Sequence, residues 1–96
     1  MGGDEGSDDA IRKDRAEARL QILDALVTAL DRRGEVLAAV FEAEDTEVAR
    51  RAVIDLLGVS ELGADAVLEL QVRRLSRRET QRIRAERDEM RAALDT

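Results

Sequence analysis

Apolar residues recur along this chain at the spacing of a helix. Ala16, Leu20, Leu23, Val27 and Leu30 follow one another at steps of 4, 3, 4 and 3. That rhythm is the seam of a coiled coil, because side chains three and four apart fall on one stripe of a helix. Ile22, Leu26 and Ala29 form a second apolar stripe beside the first. The last turns of this helix must therefore face more than one neighbour. The helix is expected from about Ala10 to Arg33, with Asp8 or Asp9 capping its free N–H groups. Gly34, directly behind Arg32 and Arg33, reads as its stop.

Three short helices are expected next. Val36, Leu37, Val40 and Phe41 mark one over about Glu35–Glu42. Glu44, Asp45 and Thr46 are a polar break, with Thr46 as the next N-cap. Val48, Ala49, Ala52, Val53, Leu56 and Leu57 then line one face of a helix ended by Gly58. Ser60 opens another, with Leu62, Ala66, Val67 and Leu70 as its apolar face. Gly63 sits early in that helix, where helix formers are expected, and implies a loose start. Ser76 and Glu79 form the S-x-x-E capping box of a last helix. Thr80, Ile83, Arg87, Met90 and Leu94 recur along it at 3, 4, 3 and 4, a second seam interrupted by Arg87. Two seams at opposite ends of a short chain predict a pair. The fold class is thus all-α: an antiparallel coiled-coil stub of the first and last helices, capped by a small knob of three short helices.

Composition agrees with this pattern. The chain has no Pro, and Phe41 is its only aromatic, where strand-rich folds lean on aromatics and Thr. Ninety-six residues make one domain. Residues 1–8, rich in Gly, Asp and Ser, are expected to be a disordered acidic tail, leaving 9–96 as a single helical dimerisation domain. The absence of Cys excludes disulfides and thiolate metal sites. The absence of His removes the usual general base and zinc ligand. No metal or other cofactor is expected. The apolar runs are too short for a membrane span, and the acidic start is no secretory signal, so a cytoplasmic location is expected.

Charge adds one question. The net charge is −6, yet residues 71–91 carry eight Arg against four acids. Such a segment reads either as a solvated helix face with its own acids interleaved or as a nucleic-acid surface. Glu79, Glu86, Asp88 and Glu89 can pair with its Arg residues at i, i+3 or i+4, which favours the solvated face. Contact with nucleic acid, if made, falls to Arg73, Arg77, Arg78 and Arg82, with Arg74 and Arg84 beside them.

Several blocks of the sequence carry a resemblance. They are Arg19-Leu20-Gln21-Ile22-Leu23-Asp24-Ala25-Leu26, Ala29-Leu30-Asp31, Glu35-Val36-Leu37, Ala49-Arg50 and Leu57-Gly58-Val59-Ser60. The longest is Ala66-Val67-Leu68-Glu69-Leu70-Gln71-Val72-Arg73-Arg74-Leu75-Ser76, trailed by Glu79, Ile83 and Glu86. In order and spacing, residues 19–94 resemble the outer end of the coiled-coil arm in the A subunits of bacterial DNA gyrase and topoisomerase IV. In that family the region is a helical knob that meets its twin across a two-fold axis and forms the exit gate for transported DNA. The resemblance implies a homodimer, with the A subunit of a full-length gyrase or topoisomerase IV as a second candidate partner. It does not imply a reaction. The family's DNA-cleaving domain uses a catalytic Tyr, and these residues include no Tyr.

Catalysis finds no support in the residues themselves. Ser60 and Ser76 are the best-placed nucleophiles, but both are explained as helix caps, and neither has an evident base. Association does find support. The short helices carry more large apolar side chains than a three-helix cluster can cover, and Leu68 and Val72 lie at i, i+4, off the Ala66–Leu70 face. An outward apolar stripe marks an interface. The dimer contact is expected over Val67, Leu68, Leu70, Gln71, Val72, Arg74, Leu75 and Ser76.

Overall fold

A computed structural model describes residues 3–70 and 76–95, with side chains from Asp8 onward. The described residues form five helices and no strand. They are α1 (Gly3–Asp31), α2 (Arg33–Glu42), α3 (Thr46–Leu57), α4 (Glu61–Glu69) and α5 (Arg77–Asp95). α1 packs mainly on α5 and α4, while α2 and α4 each pack on α3. Ion pairs set the sense of the α1–α5 contact: Asp24 meets Arg91, and Asp31 meets Arg84. As one helix rises in number the other falls, so α5 returns antiparallel along α1.

α1 starts at Gly3, earlier than the expected Ala10, so 3–8 continue the helix instead of preceding it. The break after α1 also differs from expectation. Gly34 is not a left-handed stop but the second residue of α2, and Gly58 is the only described residue with positive φ. The chain turns at Arg32 (φ −123°, ψ 36°), whose N–H is shared between the carbonyls of Thr28 (3.1 Å) and Ala29 (3.2 Å). Its guanidinium donates to the Leu56 carbonyl (2.8 Å) near the end of α3 and to Glu35 (2.5 Å). An arginine that satisfies an orphan helix-end carbonyl and pairs with its own helix holds the corner without glycine.

The remaining signals are mostly local and behave locally. The N-cap of α3 is Asp45, whose carboxylate accepts from Val48 N–H (2.9 Å), and Thr46 is the first helical residue. Asp is as good a cap as Thr, so two adjacent candidates could not be separated by type. Gly58 ends α3 in the left-handed conformation (φ 66°), with its N–H on the Ile54 carbonyl (2.8 Å). Ser60 caps α4 through Gly63 N–H (3.1 Å), and Ser76 caps α5 through Glu79 N–H (3.2 Å).

The core lies where α1 meets the short helices. Ala25, Ala29, Val36, Val53, Ala64 and Val67 form it, with Leu26, Val40, Ile54, Leu56, Leu57, Val59 and Leu68 packed around them. α1 is buried on several sides near its end, at Leu23, Ala25, Val27, Ala29 and Leu30, as its two stripes require. Gly63 corrects another expectation. It does not loosen α4: a Cβ there would stand 2.7 Å from the Ala25 Cβ, so glycine is what lets α4 approach α1.

Candidate functional site

The face of α4 is decided by that close approach. With Gly63, Ala64 and Val67 buried, the helix is rotated from the expected face of Leu62, Ala66, Val67 and Leu70. Leu62 is 43% exposed, and Ala66 and Leu70 are half-buried. A similar turn affects α3, where Ala49 and Val53 are buried but Val48 is 47% exposed. On α2, Val36 points inward, whereas Leu37 is half exposed and Phe41 is 91% exposed.

The residues expected at a partner contact are therefore divided by the fold. Val67 is a core residue at 3% exposure and presents nothing to a partner. It is buried because α4 uses its 63–64–67 side against α1, a choice the apolar pattern alone left open. Leu68 is packed against the core and, with Val40, Ala43 and Ala49, lines a shallow depression between α2, α3 and α4. Leu70 is half-buried and leaves the helix, with backbone φ −72° and ψ 124°. Gln71, Val72, Arg74 and Leu75 lie outside the described residues, as does Arg73. Ser76 is exposed and occupied with capping.

Two electrostatic ties hold this surface in place. The Arg50 guanidinium reaches Glu47 (2.8 Å) on its own helix and Asp65 (3.3 Å) and Glu61 (3.8 Å) on α4. Arg32 and Glu35 pair at the α1–α2 corner. Their hydrogen bond raises the guanidinium above its ordinary pKa and holds the Glu35 carboxyl below its own.

The arginines of α5 divide as well. They were expected to pair with acids on their own helix, but most of their partners stand on α1. Arg84 meets Asp31 (2.6 Å), Arg91 meets Asp24 (2.5 Å), Arg87 lies 3.7 Å from Asp24, and Glu86 receives Arg19 (2.8 Å). Within α5 only Arg87–Asp88 (2.6 Å) is made among the described residues. The signal was present in the sequence: Asp24 and Asp31 are seven apart, and so are Arg84 and Arg91. Charges one heptad apart beside two antiparallel seams face each other. Arg77, Arg78 and Arg82 are exposed and make no ion pair among the described residues.

Reactive chemistry has little to work with. The hydroxyls of Ser60 and Ser76 accept backbone N–H bonds, and no group of acids that could hold a metal occurs among the described residues. No helix among them is long and apolar enough to cross a membrane.

No family model matches the chain. Curated relatives do. It is 42% identical over 80 residues to the DNA gyrase A subunit of Streptomyces coelicolor, 83% of this chain and 9% of that protein. It is 44% identical over 69 residues to the DNA gyrase A subunit of Mycobacterium tuberculosis, 72% of this chain and 8% of that one. With the DNA gyrase A subunit of Streptococcus pyogenes it shares 35% over 82 residues, 85% of this chain and 10% of the relative. The chain is thus similar to a segment of the DNA gyrase A subunit, spanning about a tenth of the length of the curated relatives it matches.

Proposed function

We propose that this chain is a non-catalytic association module, a homodimer whose contact lies at the knob end, on the short helices α2, α3 and α4 and the stretch that follows them. The observation that carries the reading is where the large apolar side chains are left uncovered. Among the described residues, and apart from Ile11, the exposed ones are Leu37, Phe41, Val48 and Leu62, all on the three short helices. Clustering of uncovered apolar area at one end of a molecule is what an interface needs, while scattered single residues are ordinary. In a two-fold dimer the same surface faces itself, so a single sequence supplies both sides.

Similarity to a segment of gyrase A supports the same end of the molecule. On this reading α1 and α5 are a coiled-coil stub that presents the knob, and the stretch from Leu68 to Ser76, without the buried Val67, flanks the two-fold axis. The similar segment is a small fraction of gyrase A, and these residues hold no Tyr, Cys or His for a reaction of their own. The same likeness favours one other partner: a gyrase A subunit offering the equivalent surface to this one.

Light scattering on the purified protein tests the dimer. A dimer is expected at tens of micromolar, dissociated by Leu62→Asp and by Val72→Asp with helix content retained. A monomer at that concentration overturns it. A monomer that nevertheless co-purifies with a gyrase A subunit transfers the surface to that partner.

A further inference from the structure

The first turn of α5 breaks a local rule. Arg77 and Arg78 follow the N-cap Ser76 directly, placing two cations at the positive end of a 19-residue helix. Cations there are unfavourable, and anions are favoured. Glu79 is the one acid of this first turn, as Glu35, Glu47 and Glu61 are of those of α2, α3 and α4, and here two arginines outnumber it.

The fold brings more positive charge to the same place. A notch between the α1–α2 corner and the first two turns of α5 is lined by Arg33, Arg77, Thr80, Gln81 and Arg84. Residues far apart in sequence are needed to build it, so the helix periodicity of α5 alone does not account for it. Arg84 is already neutralised by Asp31 at 2.6 Å. Arg33 has its Nε aimed at the Leu30 carbonyl (3.2 Å), which orients the guanidinium and leaves its terminal nitrogens without a partner among the described residues. The Arg77 side chain has no hydrogen bond or ion pair among them. Two uncompensated guanidinium groups, one held in direction, therefore face one notch on a protein of net charge −6.

We infer that this notch binds a phosphate group, with Arg33 and Arg77 as the paired donors, Gln81 as a further amide donor and Arg84 as a fixed flanking charge. Planar guanidinium forks match tetrahedral oxyanions in pairs, and an anion placed here also meets the favourable end of α5. The phosphate group is that of a small phosphorylated molecule or of a nucleic-acid backbone, and the two sources differ in how they bind.

Side-chain Nε–H resonances of the arginines, followed during titration, test the inference. With inorganic phosphate, saturable shifts are expected at Arg33 and Arg77, and not at Arg12 and Arg15 on the far part of α1. Arg33→Gln with Arg77→Gln should weaken the affinity about tenfold or more, as loss of charged donors does. Helix content should be unchanged, since neither side chain is buried. A short duplex without terminal phosphates, added instead, identifies the source. Tighter binding than inorganic phosphate, falling steeply with salt, assigns the site to a nucleic-acid backbone. Binding no tighter assigns it to small phosphates. Shifts that do not saturate, or that are equal at Arg12 and Arg15, overturn the site.

Discussion

α1 holds its two main neighbours by different means. Against α4 the contact is close and apolar: Ala25 and Ala29 meet Gly63, Ala64 and Val67, and a single added methyl would collide at 2.7 Å. Against α5 no residue of the returning helix is buried, and the contact is flanked by Arg19–Glu86, Asp24–Arg91 and Asp31–Arg84. The first contact draws on area removed from water and on dispersion between packed atoms, which salt does not screen. The second adds exposed charge pairs, each weak and each screened. The α1–α5 contact is therefore the one whose strength should vary with salt.

The largest expected effect lies in the close contact. Gly63→Val should destabilise the protein by about 3 kcal/mol, since the added methyls find Ala25 and no room to move. Thermal unfolding should show that loss equally at low and high salt. Gly63→Ala sharpens the point. Alanine gains about 1 kcal/mol over glycine in a helix, yet the forced approach costs roughly 1–3 kcal/mol, so a net loss is expected. Ala25→Gly combined with it should relieve the collision, leaving a double variant more stable than the two single losses added. Additive losses would mean that the two helices do not meet at these positions.

The charged contact should respond on a smaller scale. Asp24→Asn removes the partner of both Arg87 and Arg91. The expected loss is under about 1 kcal/mol, shrinking as salt is added, because exposed pairs are worth little and are screened. A loss as large as that of Gly63→Val, or one indifferent to salt, would erase the distinction between the two contacts.

The smallest effect is at the corner that joins them. Arg32 holds the Glu35 carboxyl below its ordinary value of 4.5. A group with a depressed folded pKa stabilises the fold above the unfolded value and loses that contribution as pH falls through the folded one. The difference in melting temperature between wild type and Glu35→Gln should therefore be greatest near neutrality. It should shrink below about pH 4.5. A difference independent of pH would place the effect of Glu35 elsewhere.

Much of this molecule was determined by its sequence. Helix formers without Pro, two heptad seams and the punctuation at Asp45, Gly58, Ser60 and Ser76 set five helices and their order. Such signals need only neighbours three or four residues away, which is why they survive without knowledge of the fold. The heptad spacing of Asp24, Asp31, Arg84 and Arg91 belongs to the same class, although reading it requires both helices at once. Tertiary structure alone decided which way each short helix turns. Gly63 allowed α4 to press its 63–64–67 side on α1, burying Val67 and turning Leu62 outward, and Val48 and Phe41 were left exposed by the same settling of the knob. The cause is physical: apolar residues surround much of each short helix, so periodicity offers several faces. Only the closest packing of all the helices together selects one. The meeting of Arg33 with Arg77 has the same origin, because residues on different helices become neighbours only when the core between those helices has closed.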